Sequence, residues 1–235
     1  PLVLSYALIW MDHVDFYADR DKFSDELLEE LNEDGVRLLP YAQVYEDVKR
    51  LEKGTAVLLD PERISYALYK NLPEHVSTIE EQNPSILMKS MKNDTEAENI
   101  RKAHLKDGIA HTRFMCWLKK NIGKIPMTEM SASAKLEEFR SEQEGYLGAS
   151  FAPISAFADH GAVIHYSATE ETNVELKEGK LFLTDTGGHY WEGSTDITRT
   201  VALGEVGETE KEHFTLVARA MLRLANTAFL HGCTG

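Results

Sequence analysis

Residues 181–200, LFLTDTGGHYWEGSTDITRT, constrain this chain more than any other stretch. A short apolar run, Leu181-Phe182-Leu183, has the length of a buried strand, and Asp185 sits at its end. Gly187 and Gly188 break the pattern, and Glu192-Gly193 signals a turn. β-Branched residues then recur at Thr195, Ile197, Thr198, Thr200 and Val201, as in a second strand. Asp196 lies near the start of that strand. Two carboxylates therefore come from neighbouring strands, one at the end of the first and one at the start of the second.

A carboxylate beside a buried apolar strand is costly unless it is paired, hydrogen-bonded or bound to a metal. Two at one place repel each other, and a divalent cation, or a pair of them, removes that penalty. Hard oxygen ligands suit Mn²⁺, Mg²⁺ or a carboxylate-bound Zn²⁺. The competing reading is that each Asp caps a turn. On spacing alone neither reading prevails, because the glycine pair and its loop hide the strand register.

The rest of the chain limits the classes of function. Its net charge of -14 argues against nucleic acid and anionic membrane as partners, since both need clustered Lys and Arg. No apolar run approaches a membrane span, and no basic-then-apolar signal segment opens the sequence. Cys116 and Cys233 show neither metal-ligand spacing nor a disulfide framework, so both are expected reduced and partly buried. A cytoplasmic protein fits these features. With 43% apolar residues, 235 residues suit one large domain or two small ones.

Up to about residue 92, strand and helix signals alternate, which implies an α/β domain. Strands are expected over 2–10, 14–18, 36–39, 55–59 and 76–79, and helices over 23–31, 41–51 and 64–72. A linker over 84–93 precedes a long helix running to about Asn121, with Thr95 and Glu98 in the form of a capping box. Ile109, Phe114 and Leu118 mark its expected buried side, and Gly108 a close helix contact. His104 and His111 share roughly one face of this helix, where packing or exposure is favoured over ligation. A second helix starts at Thr128, with Leu136 and Phe139 as core candidates, and extended pieces follow over 150–157 and 162–166. The last helix, over 209–229, carries Phe214, Val217, Met221, Leu224 and Ala228 at helical spacing, read as core.

The run TDTGGHYWEGSTDITRT closely resembles the signature of the pita-bread metallopeptidases, specifically the three-domain Xaa-Pro aminopeptidases (aminopeptidase P). Upstream, GAVIHY (residues 161–166) resembles the family's segment that carries a substrate-contacting histidine, here His165. Downstream, Lys211-Glu212-His213-Phe214-Thr215 resembles the helix start after the signature. The resemblance implies an α/β (α+β) fold: residues 1–92 as a partial middle, creatinase N-terminal-like domain, and residues 93–235 as the first half of the pita-bread catalytic domain. It implies Asp185 as ligand of one metal and Asp196 as bridge between two, with His165 as a catalytic, substrate-binding group. The implied cofactors are two divalent ions, Mn²⁺ first and Zn²⁺ as the alternative. The implied substrate is a peptide with proline in the second position, and a homo-dimer is compatible with the resemblance.

In the family the remaining ligands, one His and two Glu, fall beyond the signature. The terminal HGCTG does not supply them, and His231 is read as a helix-end residue. The chain therefore reads as a fragment that binds metal weakly or not at all and is itself inactive. The alternative is a non-catalytic module that uses the same fold to bind peptides or proteins. Retention of both Asp favours the enzyme parent.

Overall fold

A computed structural model describes residues 3–233. Leu2 of the first expected strand, and Thr234 and Gly235 of the terminal turn, lie outside the described residues. Helices and strands are mixed throughout, in two compact units, Pro1–Lys92 and Asn93–Gly235.

The first unit contains strands β1 (Tyr6–Ile9), β2 (Val14–Ala18), β3 (Val36–Pro40), β4 (Ala56–Leu59) and β5 (Ser77–Glu80). Its helices are α1 (Asp25–Glu33), α2 (Val44–Asp47), α3 (Tyr66–Asn71) and α4 (Pro84–Ser90). β1 pairs antiparallel with β2, and β2 parallel with β3 through the crossover helix α1. β4 and β5 form a separate parallel pair. Tyr17, Val44, Val48 and Leu68 are the buried cluster. Residues 41–50 form short 3-10 turns on either side of α2 rather than one continuous helix. The expected linker over 84–93 is instead mostly α4. The Asn83 side chain accepts from Ser85 N–H at 3.0 Å, and Pro84 occupies the first turn, where its missing N–H costs nothing.

The second unit opens with α5 (Asp94–Asn121) and α6 (Glu129–Ser141). The cap of α5 is Asn93 and not Thr95: Asn93 Oδ1 accepts from Glu96 N–H at 2.8 Å, and Glu96 Oε2 accepts from Asn93 N–H at 2.9 Å. That reciprocal pair satisfies two free donors two residues earlier than expected. β6 (Tyr146–Ala149) and β7 (Ile154–Phe157) follow, then β8 (Lys180–Thr186), β9 (Gly188–Tyr190), β10 (Gly193–Ser194), β11 (Ile197–Leu203) and α7 (Glu208–Ala225). Two three-stranded antiparallel sheets result, in the orders β11-β8-β7 and β10-β9-β6.

Phe182 on β8 and Leu203 on β11 join Phe114, Leu118, Leu136 and Phe139 of α5 and α6 in one buried cluster. Along β8 burial alternates: Phe182, Thr184 and Thr186 are buried, while Leu181, Leu183 and Asp185 are half-buried. Period two thus puts Thr184 and Thr186 on the core-facing side and Asp185 on the other.

Several expectations fail here. Ile109 is exposed, and open space surrounds Gly108, because the buried positions of α5 are Ala103, Asp107, Ala110, His111, Phe114 and Leu118. The stripe on α7 is not core: Phe214, Val217, Met221 and Leu224 are all exposed, and α7 buries no residue. Cys116 and Cys233 are both exposed as well. His231 lies in a turn past α7, well after its last residue, Ala225.

Candidate metal centre

The register of β8 with β11 decides what spacing left open. Thr198 lies opposite Asp185, and Ile197 opposite Thr186. Asp196 precedes Thr198 by two residues and so shares the sheet face of Asp185, as its diagonal neighbour across the pair. The two carboxylates are thus near enough for the charge of one to act on the other. Burial, then the negative charge of Asp185, push the Asp196 carboxyl above its ordinary value. Because Asp196 keeps an exposed edge, the neighbouring charge carries the argument. Asp185 Oδ1 is buried and has no hydrogen-bond partner.

The glycine pair makes this approach sterically feasible. A Cβ on Gly187 would collide with the carbonyl oxygen of Thr195 and with Ser150 Oγ. A Cβ on Gly188 would lie 2.9 Å from the Tyr146 ring and 3.0 Å from that of Tyr190. Neither has a positive φ, so the requirement is space and not backbone freedom. Ser150 Oγ donates to Thr195 O at 3.0 Å, closing the same narrow place.

An orphaned buried carboxylate oxygen beside a second carboxylate is the donor set of a hard divalent cation, which would neutralise the repulsion and supply the missing partner. The pair fits such an ion as two of the ligands it needs. Among the described residues no group of three or more His, Cys, Asp or Glu is arranged to hold a metal.

His165 is exposed and makes none of the contacts that join the two Asp. The stretch expected to be extended, residues 162–166, is instead the end of a 3-10 turn, Ala158–Ala162, followed by further turns. Its backbone N–H groups at Val163 and Tyr166 donate to the turn carbonyls of His160 and Val163 rather than to a strand ladder, and residues around it converge on a buried carboxylate. Glu129, at the first turn of α6 and fully buried, accepts from Phe157 N–H and the His160 ring through Oε1, at 2.7 and 2.8 Å. Through Oε2 it accepts from Tyr166 O–H at 2.8 Å and Val174 N–H at 3.5 Å. Ala158 and His165 have φ of 50° and 58°, a region that side chains with a Cβ seldom occupy. Glu129 thus anchors the segment that presents His165.

The sequence reading also missed a buried network behind the two strands. Asp107 of α5 and Arg140 of α6 form an ion pair, 2.6 Å between Oδ1 and Nε, at 0% and 2% exposure. His111, one turn along α5, is buried too; its Nε2 lies 3.5 Å from Thr184 Oγ1. Burial foremost, and then the Arg140 charge, push its pKa down to about 4, so the ring is neutral near pH 7. The reading of His111 as packing rather than ligating agrees with this position. The signal for Asp107 was available: it falls in register with Ala103, Ala110, Phe114 and Leu118 on the apolar face of α5.

Comparison with known proteins accounts for this architecture. Residues 1–96 match the family model described as creatinase/prolidase N-terminal domain, and residues 98–235 the model described as metallopeptidase family M24. Curated relatives include Xaa-Pro aminopeptidase 2 of Sus scrofa, 32% identical over 241 residues, which covers 100% of this chain and 36% of the porcine protein. The Xaa-Pro aminopeptidase ApepP of Drosophila melanogaster is 32% identical over 234 residues, covering 97% of this chain and 38% of its own length. The chain thus spans well under half the length of these relatives. Among solved structures, the X-prolyl aminopeptidase of Caenorhabditis elegans, described as a cytosolic enzyme with a di-nuclear active site, superposes with a TM-score of 0.89 at 31% identity. It is matched over 100% of this chain and 39% of its own. With a pita-bread fold shared with these relatives and more than half its residues in the M24 match, this chain belongs to metallopeptidase family M24.

Proposed function

We propose that this chain carries Asp185 and Asp196 as two metal ligands of a dinuclear aminopeptidase centre that releases the N-terminal residue from peptides with proline in the second position. One observation carries the reading: Asp185 Oδ1 is buried without a partner beside Asp196, on a shared sheet face. Residues 1–92 stand as part of a middle domain and residues 93–235 as the first half of the catalytic domain. The substrate class, the second metal and a cytoplasmic setting are carried over from the relatives. Mn²⁺ is the first choice of ion for an all-oxygen donor pair, with Zn²⁺ as the alternative.

When bound, the ions supply Lewis acidity and an activated water. Of the chain's own residues, the two carboxylates would hold charge at the site, and His165 would donate a hydrogen bond to the substrate carbonyl as negative charge develops there. The exposed, turn-held position of His165 leaves its ring free to meet a peptide.

Two carboxylates are too few ligands to hold a pair of divalent ions firmly, so the 235-residue chain is expected to bind Mn²⁺ weakly and to turn over no substrate. The test is Mn²⁺ titration followed by electron paramagnetic resonance, beside an Xaa-Pro peptide assay. Weak binding lost in both Asp185→Asn and Asp196→Asn, with no turnover, supports the reading. Binding that survives both substitutions overturns the ligand assignment, and robust turnover abolished by Asp196→Ala overturns the inactivity.

A further inference from the structure

We propose that the buried Asp107–Arg140 pair positions the two candidate metal carboxylates, acting through Thr186 and Thr195; this rests on the reading of Asp185 and Asp196 as ligands. Thr186 directly follows Asp185, and Thr195 directly precedes Asp196. Arg140 Nη2 donates to Thr186 Oγ1 at 2.9 Å while also reaching Asp107 Oδ2 at 3.2 Å. Thr195 Oγ1 donates to Asp107 Oδ2 at 2.7 Å and accepts from Gly188 N–H at 2.9 Å. Tyr190 O–H donates to Asp107 Oδ1 at 3.2 Å, and burial raises its pKa, which keeps it a donor. The two helices thereby grip both sides of the bend that joins the two Asp.

The grip falls where packing cannot hold the spacing. Gly187 and Gly188 have no side chains to interdigitate, so the hydroxyls on either side of them supply the fixed points. Thr186 points to the core side of β8, so fixing it sets the direction of Asp185 on the other side. Neither Asp107, Arg140, Thr186 nor Thr195 hydrogen-bonds to either candidate ligand among the described residues, so all four are positioning residues. Stability alone does not account for such an arrangement, because a buried ion pair is often no better than apolar side chains of similar volume.

The test compares amide hydrogen exchange of residues 184–197, read by mass spectrometry on the metal-free 235-residue chain. The variants are Thr186→Val with Thr195→Val, which removes only the two hydroxyl links, and Asp107→Leu with Arg140→Met, which replaces the pair. Exchange over 184–197 is expected to rise roughly tenfold or more in each, with α7 and the N-terminal half of α5 unchanged. If the apolar replacement does not fold, the threonine variant decides. Unchanged exchange over 184–197 in a folded threonine variant overturns the proposal, as does equal acceleration throughout residues 93–235. A separate arm adds Mn²⁺ to the wild-type chain, to Asp185→Asn and to the folded threonine variant. Slower exchange at 184–197 in the wild type and not in Asp185→Asn upholds the carboxylates as ligands; a Mn²⁺ midpoint raised in the threonine variant upholds the purpose assigned to the network, and an unchanged midpoint there overturns it. No Mn²⁺ effect in any of the three overturns the ligand reading and the metal purpose together, while the metal-free result still shows whether the network holds the bend.

Discussion

Gly187 shows how narrowly the candidate centre is built. Its missing Cβ leaves room for the Thr195 carbonyl oxygen, a backbone atom that cannot swing aside as a side-chain tip would. Gly187→Ala is therefore expected to destabilise the second unit by at least about 3 kcal/mol, the upper end of ordinary overpacking costs. Urea unfolding followed by circular dichroism checks it, and a midpoint within error of wild type would refute the close approach. The two Asp, the glycines and the turn between them were legible in the sequence because each breaks a short-range pattern that strand periodicity makes visible. The shared face of the carboxylates was not, because it depends on pairing Thr198 with Asp185 across a loop. Asp107 and Arg140 escaped notice for a related reason. The two lie 33 residues apart and are charged groups of a kind usually left in solvent, so their pairing, unlike the place of Asp107 on the apolar face of α5, appears only in the fold.

At the scale of elements, α6 does more than pack. Its first residue, Glu129, holds the end of β7, the turn after it and the segment at Val174 through both carboxylate oxygens. A negative charge in the first turn of a helix is also favoured by the helix dipole. In Glu129→Gln one oxygen becomes an amide donor facing other donors, which should cost on the order of 2–3 kcal/mol. Amides of residues 158–174 should lose exchange protection first, whereas Tyr166→Phe, which removes one donor, should cost only about 1 kcal/mol. Equal effects of the two would show that the carboxylate is not the organising group. The strands and long helices were readable from periodicity, and most of those expected do form. The extended reading of residues 162–166 failed because the apolar run Ala162-Val163-Ile164 looks like a strand, whereas the N–H groups of Val163 and Tyr166 close turns onto carbonyls three residues back. The linker failed because α4 has only seven residues and is defined by its cap at Asn83.

At the scale of the whole molecule, two properties follow from surface and from charge. Phe214, Val217, Met221 and Leu224 leave an apolar stripe on α7 open to solvent, with Phe229 and Leu230 exposed beyond it. The helix was legible in its amphipathic period, but periodicity says which residues share a face and not whether anything covers it. Sedimentation velocity is expected to show concentration-dependent association of the chain, abolished by Val217→Lys with Leu224→Lys at unchanged helicity. A monomer at all concentrations for the wild type would refute the apolar stripe as a source of association.

Proton binding sets the second property. His111 faces Arg140 from α6, Asp107 from its own helix α5, and Arg199 from β11; burial and the two arginines outweigh the Asp107 charge and bring its pKa from 6.5 to about 4. Between those values the unfolded chain binds the proton and the folded chain does not. This contribution to stability is therefore fully present above about pH 6.5 and is lost as pH falls toward 4, amounting to no more than about 3 kcal/mol. Other carboxylates and histidines titrate in the same range, so wild type must be compared with His111→Gln, whose amide cannot take up the proton. The stability difference between the two is expected to change between pH 7.5 and pH 4.5 in the direction that disfavours wild type at the lower pH. Urea midpoints measured at both values decide it: a difference that stays constant with pH would mean that the folded and unfolded chains protonate His111 alike, and that its place behind β8 and β11 is not a dry one.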